Sequence, residues 1–466
     1  MSINSVLNTA KDSLLTYQLA IGLTGSNIAN VNTPGYTRQN PVFQTVGSAD
    51  VAATRAQFSV NVVGITRTYD KYLESQIVDQ EESLGYGEAK SDVLDRIEGI
   101  FQESSGGPSD LMNQFWNAWG EVSANPGQQA ARNSLLSVAD TLTSTIRSID
   151  SDLSEAVADA GDRINGVVSE INVAASQIAD LNSKITIYGT DRGDANTLKD
   201  SRAELLKKLS GMLDISYSED AKGNVNVFLS GGQSLILGSQ NWQLAVEMQG
   251  ETVSDIVYEN NPGKSLKDAI VSGEKGSLAA LVEVGDAIVP GYREKLDAFV
   301  ATLVSEVNAL HRQGYDASGN AGGDFFEAPV APETEMDAGG FRVSAAVLAD
   351  FNKIAASATV NGDGENALLI GQIRDQRTMS GGASTLNDYY ASLVGEIGGD
   401  VVRAKNNLDH RTSVMTQLTN SRESVSGVSL DEEMMNLIKY QMSYNTSGKL
   451  VSTVNEMLTT LMELVN

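Results

Sequence analysis

Proline stands at eight positions, 34, 41, 108, 126, 262, 290, 329 and 332, and leaves two long stretches unbroken. None lies between Pro126 and Pro262, and none follows Pro332. Proline removes a backbone donor and breaks helices, so both windows are free to hold very long ones. The first is patterned for it. Apolar and small side chains recur at Leu135, Ala139, Leu142, Ile146, Ile149, Leu153, Ala156 and Ala160, in steps of four and three. The series resumes at Ile164, Val167, Ile171, Ala174, Ile178, Leu181, Ile185 and Tyr188, after a stutter that relaxes the supercoil. Such a helix measures roughly 80 Å at about 1.5 Å per residue, which predicts a rod-like bundle. A second helix is predicted over 385–422, with Thr385 and Asp388 as a capping box. Others are predicted near 70–101 and 278–312, the latter broken or kinked at Pro290-Gly291.

Between 213 and 262 the period changes. The runs ISYS, NVNVFLS, SLILG, WQLAVEM and VSDIVYE are separated by turn clusters such as DAKGN and SGGQ. They predict an antiparallel β domain inserted between helices, an outer module able to be removed on its own.

The chain ends carry the same heptad spacing. At the start it runs through Ile3, Leu7, Ala10, Leu14, Tyr17, Ile21, Thr24, Ile28 and Val31. At the end it runs through Leu430, Met434, Leu437, Gln441, Tyr444, Gly448, Val451, Asn455, Leu458, Met462 and Val465. Ser429 with Glu432 forms a capping box, and Asp431 and Glu433 suit the positive helix start. Each stripe alone fits an ordinary amphipathic helix; two at opposite ends predict a terminal coiled coil. Its seams are weak. Ala10, Thr24, Gln441, Gly448 and Asn455 bring little apolar area against the entropy of ordering two helices. The pair is therefore expected to order only against neighbouring subunits.

Composition removes several classes of function. Lys and Arg total 33 against 60 Asp and Glu, a net charge of −27, which repels nucleic acid and anionic lipid. With no cysteine, and histidine only at 311 and 410, no thiol chemistry, cysteine zinc site or histidine dyad is available. No P-loop, GxSxG, HExxH or dinucleotide glycine pattern occurs, and the acidic run from Glu74 to Asp110 reads as a solvated face. Asp316–Glu327 has oxygen side chains at several calcium-loop positions, but Ala321 stands where glycine is needed and Pro329 follows, so a plain turn is expected. Trp116 and Trp119 share a helix face and are expected in the core. The first twenty residues lack a basic segment and cleavage site, and no window approaches a membrane-spanning run. No enzyme activity, cofactor or metal is expected, and the chain is expected to be soluble.

Residues 26–39, SNIANVNTPGYTRQ, resemble the N-terminal signature of bacterial flagellar axial proteins. In them a helix ends near Asn30, and Pro34-Gly35 suits a type II turn with glycine at the positive-φ position. Residues 424–441, SVSGVSLDEEMMNLIKYQ, and 452–458, STVNEML, narrow the resemblance to the hook-associated protein 1 family. FWNAW at 115–119, GYDA at 314–317, GDFF at 323–326, NDYY at 387–390 and LVGEI at 393–397 agree in order and spacing.

The resemblance implies a structural subunit of the hook–filament junction, exported unfolded through the flagellar type III apparatus and placed outside the cell. Its implied partners are further copies in a ring, the hook protein, a second hook–filament junction protein and an export chaperone. Neither nucleic acid nor membrane is expected as a partner. The implied fold is mainly α with an inserted β domain, elongated and multidomain. A terminal coiled-coil domain combines 1–50 with 425–466, a helical rod domain combines 51–212 with 278–424, and the β domain spans 213–277. The assembly interface is expected on Ile3, Leu7, Leu14, Tyr17, Ile21, Asn27, Ile28, Asn30, Asn32, Pro34, Gly35 and Tyr36. On the last helix, assembly and chaperone contact are expected at Leu430, Met434, Leu437, Ile438, Tyr444, Val451, Val454, Leu458, Leu461 and Met462. The rivals are another axial protein, from the distal rod or second junction, and a calcium-dependent or carboxylate-based cell-wall hydrolase.

Overall fold

A computed structural model describes residues 3–50, 55–102, 106–189, 193–250, 252–328, 336–360 and 362–465. The chain opens with α1 (Ile3–Ala29) and turns sharply at Thr33–Tyr36. It then forms a long antiparallel hairpin, β1 (Gln39–Asp50) and β2 (Arg55–Arg67), paired from Gln39↔Arg67 to Asp50↔Arg55. The heptad reading missed this hairpin, which lies along α1. The domain boundary expected at residue 50 therefore falls at the hairpin tip, between two paired strands, and not between two units. The register shifts by one residue at Val42/Phe43, next to Pro41, which has no N–H to offer the ladder.

Asp70 accepts hydrogen bonds from the N–H groups of Tyr72 and Leu73 and starts α2 (Lys71–Phe101). Pro108 opens α3 (Pro108–Ala124), where a missing N–H costs nothing. The predicted long helix is α4 (Gln129–Tyr188), 60 residues and roughly 90 Å. Its heptad series is buried from Leu135 to Ile164; beyond the stutter Val168 replaces Val167, and Tyr188 ends exposed. α5 (Gly193–Met212) folds back along α4 and α2. A Cβ on Gly85 of α2 would lie 1.9 Å from the carbonyl oxygen of Gly211, so only glycine allows that close approach.

The insert is antiparallel, as predicted, but built as two sheets. β3 (Ile215–Glu219), β4 (Val225–Leu229), β5 (Ser234–Leu237) and β6 (Gln240–Asn241) make one. β7 (Leu244–Gln249), β8 (Thr252–Tyr258) and β9 (Asn261–Ser265) make the other. It is not a detached module. Buried Asn182 of α4 donates to the carbonyls of Val225 and Gly238 and accepts from the Val225 N–H; Asn172 exchanges both bonds with Leu244. Val227, Leu235, Ile236 and Ile256 belong to the same core as α4.

After α6 (Lys267–Val271) and α7 (Ser277–Glu283), the chain makes a π-turn over Val284–Ile288 and continues as α8 (Val289–His311). The predicted break at Pro290-Gly291 is thus a widened turn just ahead of the proline, which accommodates the missing N–H. A largely irregular stretch follows, carrying the short helices α9 (Ala345–Ala349) and α10 (Glu365–Gly371). It closes an aromatic core of Phe115, Trp116, Trp119, Phe325, Phe326 and Phe341, where both tryptophans are buried as predicted. The Thr385 side chain then caps α11 (Leu386–Ser426) through the Asp388 N–H, and α11 runs along α2. α12 (Leu430–Val465) returns to α1.

Candidate functional site: the joined chain ends

Asn27 of α1 meets Glu433 of α12, and Tyr17 stacks on Tyr440, so the two helices run antiparallel. Phe43 of the hairpin completes an aromatic trio, 6.4 Å from Tyr17 and 5.9 Å from Tyr440 between ring centres. Thr16 donates to the carbonyl of Val60 at 2.7 Å and ties the other side of α1 to β2. The hairpin thus supplies a third layer to a pair expected to need neighbouring subunits.

The seam is turned by one residue from the predicted one. On α12 Glu433, Tyr440 and Val454 are buried, and Asn436, Leu437, Ser443, Ser447, Gly448, Val451 and Leu458 are half-buried. Leu437, Gly448, Val451 and Leu458 match the prediction; Glu433, Tyr440 and Val454 lie one residue earlier than the predicted row, so Met434, Gln441, Asn455 and Met462 face outward. On α1, Ala10, Thr16, Ala20, Thr24 and Asn27 are buried. Small residues let the helices and hairpin approach closely, while the larger Leu15 and Leu19 point away. The apolar pattern misled because α1 has two neighbours, not one.

Above the aromatic trio sits a polar knot. Asn27 is fully engaged: its Oδ1 accepts from the Tyr36 hydroxyl (2.8 Å) and the Gln39 N–H (3.2 Å). Its Nδ2 donates to the Gln39 carbonyl (2.9 Å) and to Glu433 (3.0 Å). Arg38 grips the other Glu433 oxygen at 2.8 Å and Glu432 at 2.5 Å, and its N–H donates to the Ser426 carbonyl. Glu433 keeps only 2% of its side chain exposed, so this carboxylate is held by charge and hydrogen bonds together. Burial pushes the hydroxyls of Tyr36 and Tyr440 above their ordinary range. The sequence offered Asn27 and Tyr36 as site residues. Arg38 and Glu433 were missed, because a charged pair split between the two ends leaves no local signal.

The turn joins this knot to the helical body. Gly35 has φ 76°, as the type II turn requires, and the Tyr36 N–H donates to the Thr33 carbonyl. Arg422 near the end of α11 donates to the Gly35 carbonyl and pairs with Glu74 of α2. Asp200 of α5 accepts from the Thr37 N–H and pairs with Arg67.

Of the remaining predicted residues, Ile3, Leu14, Ile21, Ile28 and Asn30 are half-buried, while Leu7, Asn32 and Pro34 are exposed. Leu430, Met434, Ile438, Tyr444, Leu461 and Met462 are exposed on α12. These exposed apolar side chains leave α12 with a face that its own chain does not cover.

Other candidate chemistry resolves into structure. Asp316 accepts from the N–H groups of Ser318 and Asn320 and from the Asn320 side chain, which makes its loop a turn. Among the described residues no group of three His, Asp or Glu is placed to hold a metal, and no helix is long and apolar enough to cross a membrane. His311 is buried against Phe325 and Trp119, with Nε2 accepting from the Ala355 N–H and Nδ1 against the Gly323 carbonyl. Burial lowers its pKa to about 4, which keeps it neutral. Glu82 is buried beside Lys275 and the Ile215 N–H; burial outweighs both and raises its carboxyl to about 7.

Comparison with known proteins places these features. Residues 94–326 match the family described as "Flagellar hook-associated protein FlgK helical domain", and residues 421–464 match "Flagellar basal body rod FlgEFG protein C-terminal". Flagellar hook-associated protein 1 of Bacillus subtilis is 30% identical over 97% of this chain and 96% of its own. The Escherichia coli protein of that name is 25% identical over 99% of this chain and 100% of its own. The fold matches the flagellar hook junction protein FlgK of Burkholderia pseudomallei with a TM-score of 0.67 at 17% identity, over 75% of this chain and 100% of that one. A helical body matched over residues 94–326, and a relative matched nearly end to end, make the chain a member of the flagellar hook-associated protein FlgK family.

Proposed function

We propose that the chain is a structural subunit of the bacterial flagellum, standing at the junction of hook and filament and polymerising through its joined terminal helices. The observation that carries this is the state of α12: one face is locked to α1 through Glu433 and Tyr440, while another leaves Met434, Ile438 and Met462 exposed. A helix held by its own chain on one side and bare on another fits an assembly surface. The family is one of flagellar axial proteins.

The finer partners belong to the same reading. Further copies form a ring, the hook protein lies on one side, and the second hook–filament junction protein on the other. Export proceeds unfolded through the type III apparatus, with a chaperone on α12 beforehand, and the product lies outside the cell. A terminal unit of 1–67 with 427–466 forms the joint, 68–212 with 277–426 forms the rod, and 213–276 the insert. Electron microscopy of a deletion strain tests the reading. Intact hooks without filaments, restored by the wild-type gene, are expected; full-length filaments on the deletion strain overturn it.

A further inference from the structure

The apolar core of the molecule stops short of the joined chain ends. Among the described residues it runs from Tyr86 of α2 to Ala404 of α11 and takes in no residue of α1, the hairpin or α12. What is buried between the terminal unit and the helical body is polar instead. Thr37 and Gln39 lie on one side, Asn196 and Asp200 of α5 on the other, each with less than a tenth of its surface exposed. Asp200 accepts from the Thr37 N–H at 3.3 Å and pairs with Arg67 at 2.6 Å. One turn earlier on α5, Asn196 donates to the Ile65 carbonyl at 2.9 Å. These bonds set an orientation but bury little apolar surface, and polar contacts of this kind leave units of one chain free to move against each other.

The covalent links suit such movement. Two join the units, Thr68–Asp70 between β2 and α2 and Gly427–Ser429 between α11 and α12, and neither is helix or strand. Arg38 holds both: its carbonyl accepts from the Thr68 N–H and its own N–H donates to the Ser426 carbonyl, so the links lie side by side. A Cβ on Gly427 would lie 2.3 Å from the Glu423 carbonyl oxygen, which reserves this position for glycine. Two short links pinned to one residue define an axis, as in hinges built from a few element-terminal residues. There is also room for the movement. A cleft of about 780 Å³ opens between Tyr69 at the first link and Arg202 and Tyr217 of the body. Another, of about 530 Å³, opens between Leu19 of α1 and Thr197 of α5.

We propose that α1, the hairpin and α12 tilt as one unit on the helical body about Thr68–Asp70 and Gly427–Ser429, and that Asp200 with Asn196 latches the unit in the orientation the structure shows. Opening the latch breaks the Arg67–Asp200 pair and leaves the Asn27–Glu433 bond and the Tyr17–Tyr440 stack in place, because both lie wholly inside the unit. This inference goes beyond the assembly reading and concerns the single chain, so it stands or falls independently of that reading.

The chain has no cysteine, so introduced pairs carry spin labels without background. Lys11→Cys on α1 with Ser176→Cys on α4 reads the angle between unit and body. Lys11→Cys with Ser452→Cys on α12 reads the terminal unit alone; all three positions are exposed. Distance distributions from pulsed electron spin resonance on the full chain are compared with and without Asp200→Ala. One narrow distribution is expected for each pair before that change. Asp200→Ala is expected to widen the Lys11–Ser176 distribution roughly twofold and to leave the Lys11–Ser452 distribution as it was. Asn196→Ala is expected to act in the same direction by less. An unchanged Lys11–Ser176 distribution in Asp200→Ala overturns the latch. A distribution already wide with Asp200 in place means that nothing holds the unit, and overturns the latch equally. Widening of both pairs together means that the ends come apart instead of tilting, and overturns the hinge.

Discussion

Asn27, in the first helix, donates a 3.0 Å hydrogen bond to Glu433, in the last. The two residues belong to opposite ends of the chain, and Arg38 closes the link from the turn between α1 and the hairpin. A carboxylate so well buried is stable only while its partners remain. Arg38→Met leaves Glu433 buried with only Asn27 for company and is expected to destabilise the terminal unit by about 3 kcal/mol. Arg38→Met combined with Glu433→Leu is expected to cost less than the sum of the two single changes, because the stranded charge is gone. Hydrogen exchange of α1 and α12 measures this. Additive effects across the cycle would mean that the pair does not hold the ends together.

A second prediction concerns Gly35. Its φ of 76° disfavours any side chain, and a Cβ there would lie 2.3 Å from the Glu204 carboxylate oxygen. Gly35→Ala is expected to loosen the docking of the turn on α5, at a cost of about 1–2 kcal/mol for the backbone strain alone. Adding Glu204→Ala relieves the clash but not the torsional strain, so recovery should be partial. Limited proteolysis of the turn is the readout. Full recovery would assign the whole cost to the clash, and no effect of Gly35→Ala would remove the turn from the joint.

Much of this architecture was legible because it rests on long periodic runs. α4 followed from Leu135 to Ile164 almost residue by residue, and the cap predicted at Thr385 stands at the start of α11. The hairpin was not legible. Its strands hold Pro41, Gly47 and Gly64, and the heptad in α1 suggested a single helical neighbour. With the hairpin on one side and α12 on the other, the buried face of α1 widened to take in Thr16, Ala20 and Asn27. Polar and small residues in those places read as weakness in a two-helix seam. In three layers they read as close approach and a hydrogen-bonded lock.

Acid and base should act on the helical body in opposite senses. His311 is neutral when folded, with its pKa lowered to about 4, while the unfolded chain takes up a proton near the ordinary value of 6.5. Its contribution is therefore complete above about 6.5 and is lost as pH falls towards 4, roughly 3 kcal/mol in all. Glu82 works the other way. Its carboxyl is raised from 4.5 to about 7, so its contribution is present below 4.5 and is lost as pH rises through 7. Only two histidines occur, so a proton NMR titration resolves His311 directly. A midpoint near 6.5 would contradict its burial. Glu82→Gln should flatten the loss between 4.5 and 7; an unchanged stability profile in that range would contradict the assignment to Glu82.

The last prediction concerns the insert, which the sequence suggested was detachable. In the structure Asn182 sits at the contact of α4 with β4 and the turn after β5, with no exposed surface. Its carboxamide serves the N–H and carbonyl of Val225, the carbonyl of Gly238 and the guanidinium of Arg202, which itself reaches the Gly223 carbonyl and Glu219. Asn182→Leu keeps the volume and removes every one of these bonds. Each buried group left without a partner costs about 1–3 kcal/mol, so a loss of at least about 3 kcal/mol is expected. Because β4 and β5 share a core with α4, that loss should lower one common thermal transition, by roughly 5 °C for a chain of this size. Two separate transitions in calorimetry, with only the smaller one moved by Asn182→Leu, would show that the strands melt on their own and that the long helix stands without them.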